Sequence, residues 1–171
     1  MNLKKYKNIF LDRDGVINSI IQRGDIISSP RSMKEFKLRN DFISFAKNFR
    51  DKDLLFFVCT NQPDIKRNLL KLDDLHKMHS LIGEHLNIQE IVYCSHDDDD
   101  NCLCRKPKPG MLNSLILKYK LEKKDCIIIG DSVKDILAGK NAEIDTCLLE
   151  TFYNIDVKCL NKIQRLIQLT V

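Results

Sequence analysis

The chain has 171 residues, of which 28 are basic and 24 are acidic, so its formal charge is +4. This length fits a single domain of residues 1–171 whose core needs no disulfide support. It contains no Lys/Arg tract of the kind that binds nucleic acid, no signal peptide and no apolar run long enough to span a membrane. We therefore expect a cytoplasmic monomer that binds neither nucleic acid nor membranes.

Predicted strands and helices alternate along the chain. Apolar runs predict strands at residues 7–12, 54–60, 90–94, 126–131 and 145–149. Apolar residues at helical spacing predict helices at residues 41–50, 73–86 and 110–119, and a closing helix at residues 157–169. This alternation indicates an α/β fold with three layers, Rossmann-like, in which helices cover both faces of a mainly parallel central sheet.

Two carboxylates follow the first predicted strand in the sequence DRDGVI, residues 12–17. Because strand residues alternate in direction, Asp12 can face a cleft at the strand end, and Gly15 lets the chain turn so that Asp14 faces it too. One carboxylate can attack an electrophile and the other can transfer a proton, provided that their environments keep them in different ionisation states. This chemistry suits the cleavage of a phosphate monoester, although the motif alone is also typical of a simple turn.

Three later features strengthen that interpretation. Thr60 and Asn61 end the second predicted strand, Arg105 and Lys106 lie beside a helix start, and Asp131 ends the fourth strand. Open parallel sheets bind ligands outside the carboxyl ends of their strands, so we expect these side chains to converge. Mg²⁺ suits such a site, because it binds carboxylates and phosphate oxygens and offsets the charge of the substrate.

A second cluster lies at residues 94–104, where Cys94, His96, Cys102 and Cys104 supply three thiolates and one imidazole. Four such ligands favour tetrahedral zinc, and because no ligand position is left open the zinc would be structural. The alternative is a mobile loop with unpaired cysteines. The acidic run at residues 97–100 between these ligands is expected to be a solvated loop tip.

The order and spacing of the four catalytic motifs resemble those of haloacid dehalogenase (HAD) superfamily phosphatases of subclass IIIA. CLCRKPKPGM at residues 102–111, DRDGVIN at 12–18 and TNQ at 60–62 are similar to the D-glycero-D-manno-heptose 1,7-bisphosphate phosphatases. The phosphatase domain of histidinol-phosphate phosphatase shares this plan. The resemblance extends from residue 7 to about residue 149, and it implies a HAD fold without a large cap domain. It also implies that residues 18–36 form a small flap.

The resemblance implies a role for each site residue. Asp12 would attack phosphorus, and Asp14 would protonate the leaving group and then deprotonate the attacking water. Mg²⁺ would be held by Asp12, the backbone carbonyl of Asp14, and Asp131. Asp135 would lie behind these ligands, either orienting a water molecule or capping a helix. The residues expected to bind the phosphate or the rest of the substrate are Thr60, Asn61, Arg105 and Lys106.

These inferences predict a Mg²⁺-dependent phosphatase for a small sugar phosphate, with heptose 1,7-bisphosphate as the first candidate substrate. Two departures stand against that substrate. Asp64 follows Pro63 where heptose phosphatases usually have Ser-Gly, and residues 19–29 lack the Asp-x-Gly-Tyr pattern of that group. The alternatives are a histidinol-phosphate phosphatase, a polynucleotide 3′-phosphatase and a non-catalytic zinc-stabilised binding module.

Overall fold

The computed structural model describes residues 1–170, so Val171, the last residue of the expected domain, lies outside the described residues. The strands, in chain order, are β1 (Asn8–Leu11), β2 (Ile21–Arg23), β3 (Ile26–Ser28), β4 (Leu55–Asn61), β5 (Ile88–Cys94), β6 (Cys126–Gly130), β7 (Asp145–Leu149) and β8 (Asn161–Ile163). The α-helices are α1 (Asn40–Phe49), α2 (Leu72–His85), α3 (Gly110–Tyr119) and α4 (Val133–Asn141). Among the described residues, no helix is long and apolar enough to cross a membrane.

Six strands form one parallel sheet in the order β5-β4-β1-β6-β7-β8. Alternate residues of β1 enter different hydrophobic clusters, with Ile9 and Leu11 in one and Phe10 in the other. The first cluster contains the buried apolar residues of α1 and α2, and the second contains those of α3 together with Ala138 of α4. Helices therefore cover both faces of the sheet, which confirms the predicted three-layer α/β fold.

A short hairpin stands apart from this sheet. Strands β2 and β3 pair with each other in antiparallel fashion, and Ile26 and Ile27 remain exposed. This hairpin lies in the segment that was predicted to form a small flap. No large cap domain is present in residues 1–170, as predicted.

The predicted closing helix at residues 157–169 is wrong. The segment instead forms β8, which pairs in parallel with β7, followed by a single 3₁₀ turn at Leu166–Gln168. The edge of β7 offers unpaired backbone groups that β8 satisfies, for example through a 2.7 Å hydrogen bond from the Glu150 amide to the Ile163 carbonyl. Of the apolar residues that suggested a helix, Ile163 and Leu166 are buried, whereas Leu160 is 97% exposed. Strand pairing at an open sheet edge thus outweighs the local periodicity.

Candidate active site

The carboxyl ends of the three neighbouring strands β4, β1 and β6 meet at one cavity of about 510 Å³. β1 is followed by Asp12, β4 carries Thr60, and β6 is followed by Asp131, so the topology alone brings these three together. The predicted site residues that line this cavity are Asp12, Asp14, Thr60, Asn61, Arg105, Lys106 and Asp131. Asp135 does not line it and lies fully buried.

Lys106 connects the expected nucleophile to Asp135. Its Nζ lies 2.8 Å from Asp12 Oδ1, 2.5 Å from Asp135 Oδ1 and 2.8 Å from the Cys59 carbonyl oxygen. The Lys106 side chain is 3% exposed, so solvent screens these contacts little. The side chain of Asn61 fixes the Lys106 backbone through two hydrogen bonds of 3.0 Å, one donated and one accepted. Asn61 therefore positions Lys106 directly.

The environment of Asp12 leaves its charge only partly balanced. Burial raises the pKa of Asp12 to about 7, while Lys106 opposes this shift and Asp135 and Asp14 add to it. The Asp12 Oδ1 atom also accepts a 2.7 Å hydrogen bond from the backbone amide of Arg13. A cation beside Asp12 would favour the ionised form that a nucleophile requires.

Asp14, by contrast, lies in an environment that favours its ionised form. Burial acts to raise the pKa of Asp14, but Arg13, Asn18 and Gln62 together lower it below its usual value. The Arg13 guanidinium, itself fully buried, donates to both Asp14 oxygens at 2.9 and 3.0 Å. Asn18 and Gln62 donate to the same carboxylate at 2.9 and 2.7 Å. The pKa values of the two motif carboxylates are thus shifted in opposite directions, but in the reverse sense to an ionised Asp12 nucleophile and a protonated Asp14 acid.

Gln62 also joins the first motif to the second. Its Nε2 donates to Asp14 Oδ2 at 2.7 Å and to Thr60 Oγ1 at 2.8 Å. The Thr60 hydroxyl accepts that bond and keeps its own proton for another acceptor. Thr60 lines the cavity, so it is placed to donate to a phosphoryl oxygen.

The carboxylates beside Lys106 have the composition of a site for a hard cation. Asp12, Asp131 and Asp135 each bring an oxygen within 4.8 Å of the others. The Asp135 oxygens are already engaged, Oδ1 by Lys106 and Oδ2 by the amide and hydroxyl of Ser132 at 3.0 and 2.5 Å. Burial, together with repulsion from Asp12 and Asp135, raises the pKa of Asp131 well above its usual value. Asp12 and Asp131 therefore fit a divalent cation that would relieve this repulsion.

Close packing around Asp131 depends on Gly15. This glycine has a φ of 83°, and a Cβ atom built on it would lie 1.8 Å from Asp131 Oδ2 and 2.6 Å from the Tyr153 hydroxyl. Any larger residue would displace the carboxylate. Tyr153 donates a hydrogen bond to Asp131 Oδ2, and Asn154 Nδ2 donates to the Asp131 carbonyl at 2.6 Å.

The four predicted zinc ligands converge as well. Cys104 Sγ lies 3.2 Å from Cys94 Sγ, 3.5 Å from Cys102 Sγ and 3.3 Å from His96 Nδ1. Ligands about 2.3 Å from a tetrahedral zinc lie roughly 3.8 Å from one another, close to these separations. The donor set and its geometry both fit zinc.

Three of the four acidic residues between these ligands, Asp97, Asp98 and Asp100, are paired with cations rather than simply solvated. Arg67 contacts Asp97 at 2.5 and 2.7 Å, and Lys66 contacts Asp100. Arg105 donates to Asp98 at 2.7 Å and to the His96 carbonyl at 3.1 Å. Arg105 therefore lines the cavity while also holding the loop at residues 94–104.

Several residues at this site carried no assigned role in the sequence analysis. Three of them, Arg13, Asn18 and Gln62, lie inside the motifs. The sequence places them near the site but does not predict their contacts. Tyr153 comes from the loop after β7 and had no local signal. Arg31, from the segment after β3, lines the cavity and contacts Asp64 across 33 residues of sequence.

Comparison with known proteins gives consistent results. The family model described as HAD-hydrolase-like matches residues 103–151. The chain is 34% identical to D-glycero-alpha-D-manno-heptose-1,7-bisphosphate 7-phosphatase of Campylobacter jejuni, over 85% of this chain and 83% of the relative. It is 36% identical to D-glycero-beta-D-manno-heptose-1,7-bisphosphate 7-phosphatase of Helicobacter pylori strain J99, with the same coverage. The crystal structure of D,D-heptose 1.7-bisphosphate phosphatase from B. bronchiseptica, complexed with magnesium and phosphate, shares the fold at a TM-score of 0.80. That structure is 24% identical, and the match covers 94% of this chain and 93% of that chain.

Proposed function

The chain belongs to the D-glycero-manno-heptose-1,7-bisphosphate 7-phosphatase family of HAD phosphatases, and on that premise we propose that it removes the 7-phosphate of such a heptose bisphosphate. Some of its relatives are named for the alpha anomer of the substrate and others for the beta anomer, so their names do not indicate which anomer this chain prefers. The site supports the proposal because the expected nucleophile, a buried cation and a second carboxylate meet in one cavity.

In the proposed reaction Asp12 attacks the phosphorus atom and forms an aspartyl phosphate as the alkoxide departs. Lys106, 2.8 Å from Asp12, holds the nucleophile and offsets charge on the transferring group. Thr60 donates a hydrogen bond to a phosphoryl oxygen. Asp14 gives a proton to the alkoxide and then takes one from the water that hydrolyses the intermediate. Asp14 must be protonated for the first step and ionised for the second, and its pairing with Arg13 favours the ionised form.

Two metal ions belong to the proposal. Mg²⁺ would be held by Asp12, Asp131 and the Asp14 carbonyl, and it would neutralise the phosphate and so reduce its repulsion of the nucleophile. Asp135 would stay behind these ligands, orienting Lys106 and capping α4 through Ser132. Zn²⁺ on Cys94, His96, Cys102 and Cys104 would fix the loop that carries Arg105 and leads into Lys106.

A substrate panel tests the proposal. The purified chain, supplied with Mg²⁺, is assayed against heptose 1,7-bisphosphate, histidinol phosphate and a 3′-phosphorylated oligonucleotide. We expect the highest kcat/KM for the heptose bisphosphate, with release of the 7-phosphate only. A higher kcat/KM for histidinol phosphate would replace the proposed substrate, and a strongly salt-dependent activity on the oligonucleotide would indicate a nucleic-acid enzyme.

A further inference from the structure

Arg31 lines the cavity and is held there by Asp64. The Arg31 Nε donates to Asp64 Oδ2 at 2.7 Å, and both residues line the cavity. The Asp64 side chain is 7% exposed, whereas that of Arg31 is 33% exposed. Asp64 is thus a buried anchor, and Arg31 is the part of the pair that a ligand can reach.

In the sequence, the negative charge of Asp64 argued against a doubly phosphorylated substrate. In the structure, neighbouring arginines neutralise that charge. Besides Arg31, Asp64 contacts Arg67 Nη1 at 3.3 Å. Arg67 is in turn bound by Asp97 through two hydrogen bonds. The two arginines and two carboxylates of this network balance in charge, so Asp64 presents no net negative charge to the cavity.

The hydrogen bonding of Arg31 leaves donors unused. A guanidinium carries five N–H donors, and only Nε–H of Arg31 is bound by a side chain within the described part of the chain. By contrast, Arg105 is bound by Asp98 and the His96 carbonyl, and Lys106 is bound by Asp12, Asp135 and the Cys59 carbonyl. Both terminal nitrogens of Arg31 therefore remain for a planar, bidentate anion such as phosphate.

We propose that Arg31, oriented by Asp64, binds the phosphate that the enzyme does not cleave and so selects bisphosphorylated over monophosphorylated substrates. The inference rests on the proposed function and assigns a residue to its specificity. Arg31 acts in substrate binding and not in the chemical step, because the cation at the nucleophile is Lys106. Its removal should therefore raise KM and leave kcat nearly unchanged.

The test compares heptose 1,7-bisphosphate with heptose 7-phosphate, which lacks the second phosphate. In Arg31→Gln, we expect KM for the bisphosphate to rise about ten- to hundredfold, as for the loss of hydrogen bonds to a charged group. We expect kcat/KM for the monophosphate to change less than about twofold. Lys34→Gln removes a cation from the same segment outside the cavity and should leave both substrates unaffected.

Arg31→Lys keeps the charge but loses the planar fork, and we expect a smaller rise in KM for the bisphosphate only. Arg31→Lys also provides a second test of the inference if Arg31→Gln does not fold. The inference would be overturned if the Arg31 variants lost kcat/KM equally on both substrates, or if their preference for the bisphosphate were unchanged. Either result would leave the proposed function in place. A wild-type enzyme that hydrolyses neither heptose phosphate would overturn both.

Discussion

The hydroxyl group of Tyr153 donates a hydrogen bond to Oδ2 of Asp131, linking the loop after β7 to the end of β6. This contact fixes one oxygen of the carboxylate proposed to bind Mg²⁺. Partners of metal ligands typically change metal affinity or activity by about ten- to hundredfold when they are removed.

We expect Tyr153→Phe to weaken Mg²⁺ binding by about tenfold, with a small effect on stability. Titration calorimetry with Mg²⁺ measures this without relying on turnover, and the Mg²⁺ dependence of activity should shift in parallel. Tyr119→Phe is the matched control, because that hydroxyl binds Glu90 on the surface. Equal Mg²⁺ affinity in Tyr153→Phe and wild type would show that the contact does not position Asp131.

Lys106 is expected to serve both activity and stability. Its replacement by Met leaves Asp12 and Asp135 without their buried cation, which we expect to destabilise the fold by about 3–5 kcal/mol. Activity should fall by at least about 100-fold, because charge on the phosphoryl group is no longer offset. Chemical denaturation and steady-state kinetics measure the two effects.

Two further variants separate the charge of Lys106 from its shape. Lys106→Arg retains a cation, so it should keep more of the stability than Lys106→Met. Lys118→Met removes a surface lysine paired with Glu90 and should change neither quantity appreciably. If Lys106→Met were folded and fully active, Lys106 would have no part in the reaction.

Zinc is expected to stabilise the loop at residues 94–104. We expect one zinc per chain by elemental analysis, and a lower melting temperature after chelation or in Cys102→Ser. Cys159→Ser is the control, since Cys159 lies outside the cluster and contacts Thr146. An equal melting temperature with and without metal would contradict a structural zinc.

His79 is expected to make the stability of the fold depend on pH, independently of catalysis. Burial, reinforced by the nearby Arg13 charge, lowers the pKa of His79 to about 4 from 6.5, and its Nε2 has no hydrogen-bond partner among the described residues. Between these two values the unfolded chain binds more protons, so stability falls as pH falls. This residue should account for at most about 3 kcal/mol of lost stability.

The variant His79→Gln should therefore lose less stability than wild type between pH 7 and pH 5. Denaturation at the two pH values measures the difference, and His76→Gln, an exposed histidine of the same helix, should behave like wild type. Identical pH dependence of stability in all three proteins would mean that folding does not hold the His79 ring in its neutral form.

The sequence predicted those parts of the molecule that depend on local pattern. Strand β1 followed by Asp12 and Gly15 could be read directly, because a buried apolar run, a turn glycine and the period of a strand are all local. The four predicted zinc ligands could be identified because they all lie within eleven positions of the sequence.

Contacts between distant segments were not predictable in the same way. The Arg31–Asp64 pair and the Tyr153–Asp131 bond depend on how loops cross the end of the sheet. β8 was mistaken for a helix because the spacing of Ile163 and Leu166 fits a helix, whereas the free edge of β7 decides the structure. The spacing of apolar residues within a segment gives no information about an unpaired strand edge elsewhere in the fold.

The measurement that tests the proposed mechanism most directly is detection of phosphate on Asp12. Enzyme mixed with substrate and Mg²⁺ is quenched in acid within one turnover, digested and analysed by mass spectrometry. We expect a phosphorylated peptide with the modification on Asp12, and no phosphopeptide or turnover in Asp12→Asn. A phosphoryl group on another residue, or an Asp12→Asn variant that remains active, would contradict the mechanism.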